Sequence, residues 1–172
     1  HKDIVRNCYF TPNDEYLVST DNDHVLSIWD GDDGRQIFTL RDSAASFRKV
    51  EINQANTFIT ALTDSGRLYL IDFSTLKIKG IQESVADYSL HQKEEIIFFI
   101  GLSGGIYKYN PNNNAVKKIR YTTNLNPVKV ITLSRSVVCV EDVTKGVFII
   151  NEITGKTQAI VTSRSSAVRL HD

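Results

Sequence analysis

The stretch FTPNDEYLVSTDNDHVLSIWD, residues 10–30, holds the chain's only tryptophan, Trp29, with Asp30 directly after it. Two short runs of β-branched, aliphatic and aromatic residues, YLVST and VLSIW, are separated by DND and preceded by TPND. Apolar runs of this length bounded by turn-forming residues read as a β-hairpin. A lone hairpin is marginal in water. The fold therefore turns on whether this pattern recurs.

It does. QIFTL, TFITAL, RLYLID, EIIFFI, GIYKY, VVCVE and GVFII are further strand-like runs, separated by DGDDG, TDSG, SGG, NPNNN and TKG. No stretch of helical period interrupts them. Trp29, Ile71, Tyr109 and Ile150 end corresponding hairpins at intervals of 42, 38 and 41, and each is followed by Asp or Asn. An earlier landmark (Val5, Phe47, Val85, Val128 and Val168) recurs at 42, 38, 43 and 40. Two landmarks in one register, at about 40–45 residues, fit the four-stranded blade of a propeller; a sandwich has no reason to keep such a period. The sequence predicts an all-β propeller of antiparallel blades over 1–44, 45–84, 85–124 and 125–166. Residues 167–172 would open a further blade. A closed ring of four has no place for that strand, so the expectation is a segment of a larger ring of seven or eight blades, carried on a longer chain.

The first of these units resembles a WD repeat. FTPNDEYLVS is similar to the family's FSPDGxxLxS segment, and Trp29-Asp30 is its WD dipeptide. His1 lies 28 residues before Trp29 and Asp23 lies six before it, where the family has its histidine and its structural aspartate. The resemblance implies a buried hydrogen-bonded tetrad of His1, Asp23, Trp29 and a hydroxyl on the second strand. Asp21 occupies the expected hydroxyl position, with Ser19 and Thr20 beside it. The other units keep the spacing and lose the motif, with Ile71, Tyr109 and Ile150 in place of tryptophan. The resemblance also implies a non-enzymatic scaffold that binds partner proteins or peptides through one face. That scaffold would sit in an intracellular, cytoplasmic multiprotein complex. The alternative reading is the sensor or autoinhibitory arm of an apoptosome-type STAND ATPase, whose C-terminal propellers also have divergent blades.

Composition narrows the remaining classes. Lys plus Arg and Asp plus Glu number 20 each, so the phosphate-binding excess of a nucleic-acid domain is absent overall. No apolar run reaches the roughly 18 residues of a membrane span. Cys8 and Cys139 lie in apolar runs with no CxxC pair or Cys/His cluster, so the expectation is two reduced core thiols and no metal. The four histidines are dispersed. GLSGG (101–105) lacks the lysine of a phosphate loop. The aspartates of residues 21–33 lack the spacing of a calcium loop. Neither a cofactor nor a catalytic group is expected.

One column stands out. The residue after each early-strand landmark is Arg6, Arg48, Ala86, Lys129 and Arg169. Four of the five are basic, against 20 basic residues in 172 overall. Two readings are open: a basic ring at a channel mouth that receives acidic peptides, or internal pairing with turn carboxylates such as Asp3, Asp42, Glu83 and Asp87. A separate basic stretch, Lys117, Lys118 and Arg120, is expected on an outer strand.

Overall fold

The structure, a computed structural model, describes residues 1–162. The chain divides into two compact units, His1–Glu83 and Ser84–Asp172. In the first, β1 (Val5–Phe10), β2 (Tyr16–Asp21), β3 (Val25–Asp30) and β4 (Gln36–Arg41) form one sheet, and β5 (Phe47–Ile52), β6 (Phe58–Thr63), β7 (Leu68–Asp72) and β8 (Lys77–Gln82) form another. In the second, β9 (Val85–Leu90), β10 (Ile97–Gly101), β11 (Ile106–Asn110) and β12 (Ala115–Lys118) form one sheet. The other comprises β13 (Pro127–Ser134), β14 (Val137–Asp142), β15 (Gly146–Asn151) and β16 (Thr157–Thr162). Every sheet is an antiparallel meander in chain order, so each has the blade topology that the period predicts. The strand expected at 167–172 lies outside the described residues.

The Asp or Asn that follows each third-strand landmark has a local cause. Asp30 Oδ1 accepts the Asp32 amide at 3.0 Å, and Asp72 Oδ1 accepts that of Thr75 at 2.9 Å. Asn110 Oδ1 accepts Asn112 and Asn151 Oδ1 accepts Ile153, both at 3.0 Å. A short side chain with an acceptor two atoms from its backbone closes such a turn. This column repeats more faithfully than the tryptophan because the turn constrains it directly. The aspartates of DGDDG serve the same turn.

A second repeat ties the other end of each sheet. The residue after the second strand donates its amide to the carbonyl of the residue just before the first strand. The pairs are Asn22 to Ile4 (3.0 Å), Asp64 to Ser46 (2.9 Å), Leu102 to Ser84 (2.7 Å) and Val143 to Asn126 (3.2 Å). In a meander the start of strand one and the turn between strands two and three share one end of the sheet. These bonds lock the entering loop to that turn.

The core of the first unit lies between its sheets. Val18, Leu26 and Ile28 cluster with Val50, Ile59, Ala61, Tyr69 and Ile71. In the second unit, Phe98, Ile100 and Ile106 cluster with Val130, Val138, Val140, Phe148 and Ile150. β6 and β10 are buried along their whole length, which accounts for the unbroken apolar run of β10 and for the absence of charged residues from β6. β1 is the exception. Phe10 is 62% exposed, and Cys8 is exposed where the residues of equal register, Val50, Tyr88 and Val130, are buried. The expectation that Cys8 is a core thiol is thus corrected. It pairs in register with Ser19, on the face of the first sheet turned away from the Val18–Leu26–Ile28 core. Cys139 is buried, and both thiols are free.

Candidate functional site

The densest side-chain network in the first sheet is built on Trp29. Its indole Nε1 donates to Ser19 Oγ at 2.7 Å, and Ser19 Oγ meets His1 Nε2 at 2.5 Å. His1 Nδ1 meets Asp21 Oδ2 at 2.6 Å, and Asp21 Oδ1 accepts the Val25 amide at 2.9 Å. The His1 and Asp21 side chains are 10% and 1% exposed. One proton assignment satisfies every member. With Asp21 ionised, His1 carries its proton on Nδ1, Nε2 accepts from the Ser19 hydroxyl, and Ser19 accepts from Trp29. The His1 and Trp29 rings lie 5.8 Å apart.

Two assignments from the sequence change. Ser19, not Asp21, is the hydroxyl member. Asp21, not Asp23, is the carboxylate. Strand parity is the reason: Ser19 and Asp21 lie two apart on β2 and so point to the same face. Asp23 has passed into the turn, where it sits 3.9 Å from Arg41 with its side chain 42% exposed. Parity counted back from the β2 end was the signal that could have found this.

The second sheet ties its entering loop by other means. Asp42, buried in that loop, accepts the Ala44 and Ala45 amides at 2.7 and 3.0 Å. Its second oxygen accepts the Tyr69 hydroxyl at 2.6 Å and Arg67 Nη1 at 3.0 Å. Burial pushes the Asp42 carboxyl up, but the Tyr69 hydroxyl, the two amides and Arg67 outweigh it and hold the group below its ordinary value. In the fourth sheet Asp142 does this work, accepting the Asn126, Thr144 and Lys145 amides at 2.5, 2.9 and 2.7 Å. Burial again opposes and the amides again win, so its carboxyl is lowered. The sequence reading named Asp42 only as a partner for the basic column, whereas Asp142 lies opposite Pro127 as Asp21 lies opposite Val5, in the same register position at the end of the second strand.

The basic column does not survive as a column. β1 and β2 pair Val5 with Asp21 and then Asn7 with Thr20, which leaves Arg6 bulged out. The same irregularity bulges Arg48 in β5, Ala86 in β9 and Val128 in β13. Lys129 is therefore one position beyond the equivalent of Arg6, because Pro127 and not Val128 holds the place of Val5. Arg169 lies outside the described residues. Arg6 pairs with Asp64 at 2.9 Å, and Arg48 Nε donates to the Thr63 carbonyl at 3.3 Å. The two arginines thus engage the second sheet's turn region. The carboxylate paired with Arg6, Asp64, is not among the four suggested by the sequence. Among the described residues, no group of three His, Cys, Asp or Glu side chains could hold a metal ion.

No protein-family model matches the chain, and no curated protein matches it in sequence. Solved structures do match in fold. The structure of U3-55K aligns with a TM-score of 0.72 at 10% identity over 92% of this chain. The WD40 repeats of RRP9 align at 0.69 and 10% over the same share. The chain spans about half the length of those structures, 52% and 51%. The fold is that of WD40-repeat propeller blades.

Proposed function

We propose that the chain is a non-enzymatic protein-interaction scaffold, a WD40-type segment of a larger propeller acting within an intracellular multiprotein assembly. The observation that carries this reading is the repeated lock at one end of every sheet. In all four, a backbone hydrogen bond fixes the entering loop to the turn between strands two and three. His1–Asp21, Asp42–Arg67–Tyr69 and Asp142–Asn126 reinforce it. Loops held rigid at their roots with varied residues at their tips suit recognition of a partner. The larger ring is supported by the exposed first strand of the first sheet, with Phe10 62% exposed, and by the half-length span against the matched structures.

Asp21, His1 and Ser19 stand in the order and contact of a hydrolytic triad, the arrangement that an enzymatic alternative would use. Ser19 is 4% exposed, and its oxygen already accepts the Trp29 indole. A nucleophile must reach its substrate, and this one is sealed beneath the histidine and tryptophan that bond it. The triad-like geometry serves as a structural clamp.

The scaffold reading is tested by photo-crosslinking residues placed at the two ends of the sheets. Probes at Asn22, Asp64, Leu102 and Val143 should capture a partner, and probes at Asp32, Ser74, Asn113 and Thr154 should not. Equal capture from both ends would overturn the reading.

A further inference from the structure

The segment joining β12 to β13, Ile119 to Asn126, is fixed at both ends, and Leu125 and Tyr121 pack on the core between them, but its main-chain donors are unused. Ile119 N donates to the Ile106 carbonyl at 2.8 Å, and Asn126 is held through both its amide and its carbonyl. Lys145 Nζ caps the Asn124 carbonyl. No backbone amide from Arg120 to Leu125 donates to a protein group among the described residues. Peptide groups must find partners somewhere; these are left to water or to a ligand. The segment borders a groove of about 920 Å³, which the Ser103–Gly105 turn also lines. Gly104 there has φ +83°, a conformation natural to glycine.

The charge of this groove has one sign. Its lining includes Lys118 and Arg120 and no carboxylate. Both cations are exposed, and neither has an ion-pair partner among the described residues. They also line a second hollow of about 500 Å³, where the only carboxylate, Glu152, is already engaged. Lys108 holds it at 2.6 Å and Lys117 at 3.1 Å. Those two bonds overcome burial and keep the Glu152 carboxyl below its ordinary value, so it is the committed counter-ion of other lysines. Lys118 and Arg120 thus form a cationic ridge between two hollows, beside a run of unused backbone donors.

The geometry points to this groove as a docking site for an extended, acidic peptide segment of a partner protein. Its carboxylates would meet Lys118 and Arg120, and its backbone would pair with the amides of 120–125. The unused main-chain donors favour a peptide over a small anion, since extended peptides bind through main-chain hydrogen bonds and side-chain pockets together. The inference rests on the scaffold reading and moves the acidic-partner site away from Arg6, Arg48 and Lys129.

The test titrates a fluorescein-labelled peptide of alternating glutamate and serine into the full chain. A glutamine version of the peptide and free glutamate serve as controls. Charge reversal by Lys118→Glu with Arg120→Glu should weaken the glutamate peptide by about ten-fold or more, and added salt should weaken binding to wild type. Lys77→Glu with Lys93→Glu makes the same change of net charge outside the groove and should leave binding near wild type. Hydrogen exchange should show the amides of 120–125 protected by the peptide. Lys118→Gln with Arg120→Gln replaces the reversal if that variant fails to fold. Equal loss in both reversed proteins, equal binding of the glutamine peptide, competition by free glutamate at matched charge concentration, or no protection at 120–125 would each overturn the proposal. Partner crosslinking that persists in the Lys118/Arg120 variant would remove the groove and keep the scaffold. Loss of crosslinking from every probe on wild type would remove the scaffold itself.

Discussion

Ser19→Ala is the most informative single change, because one oxygen joins two partners. In wild type, Ser19 Oγ accepts from Trp29 at 2.7 Å and meets His1 Nε2 at 2.5 Å. Alanine leaves the indole N–H and the imidazole nitrogen unpaired. Each orphaned group costs about 1–3 kcal/mol when fully buried. Trp29 is half-buried and regains some water, so its share falls near the low end of that range. The His1 side chain is only 10% exposed and recovers less. Their sum is about 2–3 kcal/mol. Asp21→Ala should cost at least as much, since it orphans His1 Nδ1 and the Val25 amide together. Asp23→Ala removes only a long, half-exposed contact with Arg41 and should cost about 0.5 kcal/mol or less. Urea denaturation followed by Trp29 fluorescence measures all three, because the only tryptophan lies inside the network it reports. Ser19→Thr, which keeps the hydroxyl, should recover most of the loss. In the same samples the His1 nitrogen shifts should show the Nδ1–H tautomer. Asp23→Ala matching Asp21→Ala, or Ser19→Ala within about 0.5 kcal/mol of wild type, would refute the reasoning.

A fluorophosphonate probe should leave Ser19 unlabelled in the folded chain, and stoichiometric labelling would show a nucleophile instead of a clamp. Arg6→Ala should change stability by about 0.5 kcal/mol or less, as its pair with Asp64 is exposed on both sides; a larger loss in thermal melts would show that this bulge residue holds the two sheets together. Asp42, Asp142 and Glu152 all have folded carboxyls lowered from their ordinary values. A lowered folded value stabilises above the unfolded value, about 4, and the contribution is lost as pH falls through the folded one. Stability should therefore be level from about pH 5 to 7 and fall below about pH 4, and Asp42→Asn should shallow that fall; an unchanged acid limb would contradict the assignment.

The period exposed the architecture because two different turns impose it. Asp30, Asp72, Asn110 and Asn151 close the same turn in four sheets, so the residue type recurs wherever the geometry does. The continuous run EIIFFI marked a strand buried on both faces. The site was less legible. Counting from a family spacing placed Asp21 and Asp23 without regard to strand parity, and parity decides which side chains can meet. The basic column failed for a related reason. The first strand of every sheet carries a bulge, and Pro127 enters the strand one residue before the landmark Val128, so a column aligned on apolar residues slipped by one at Lys129. A bulge adds a residue to one strand without changing the apolar pattern that a reader counts.

The loss of the motif in three sheets follows from the same mechanics. What each sheet needs is a tie between the loop entering its first strand and the turn after its second. The backbone provides one bond of that tie everywhere, and in the first, second and fourth sheets a buried polar side chain adds to it. In the first sheet the side chain is an imidazole reaching from the loop to Ser19 and Asp21. In the second the direction reverses, and a loop carboxylate, Asp42, receives Arg67 and Tyr69 from the third strand and the residue just before it. In the fourth the carboxylate stands at the end of the second strand and receives a loop amide. Three donor–acceptor arrangements satisfy one geometric demand, so the tie imposes no single sequence on all the sheets, although Asp21 and Asp142 share a register position. The turn between strands three and four is closed each time by a short acceptor two or three residues back, and there the sequence repeats. A repeat is readable in a divergent propeller where the backbone admits a single side-chain answer, and fades where several answers cost about the same.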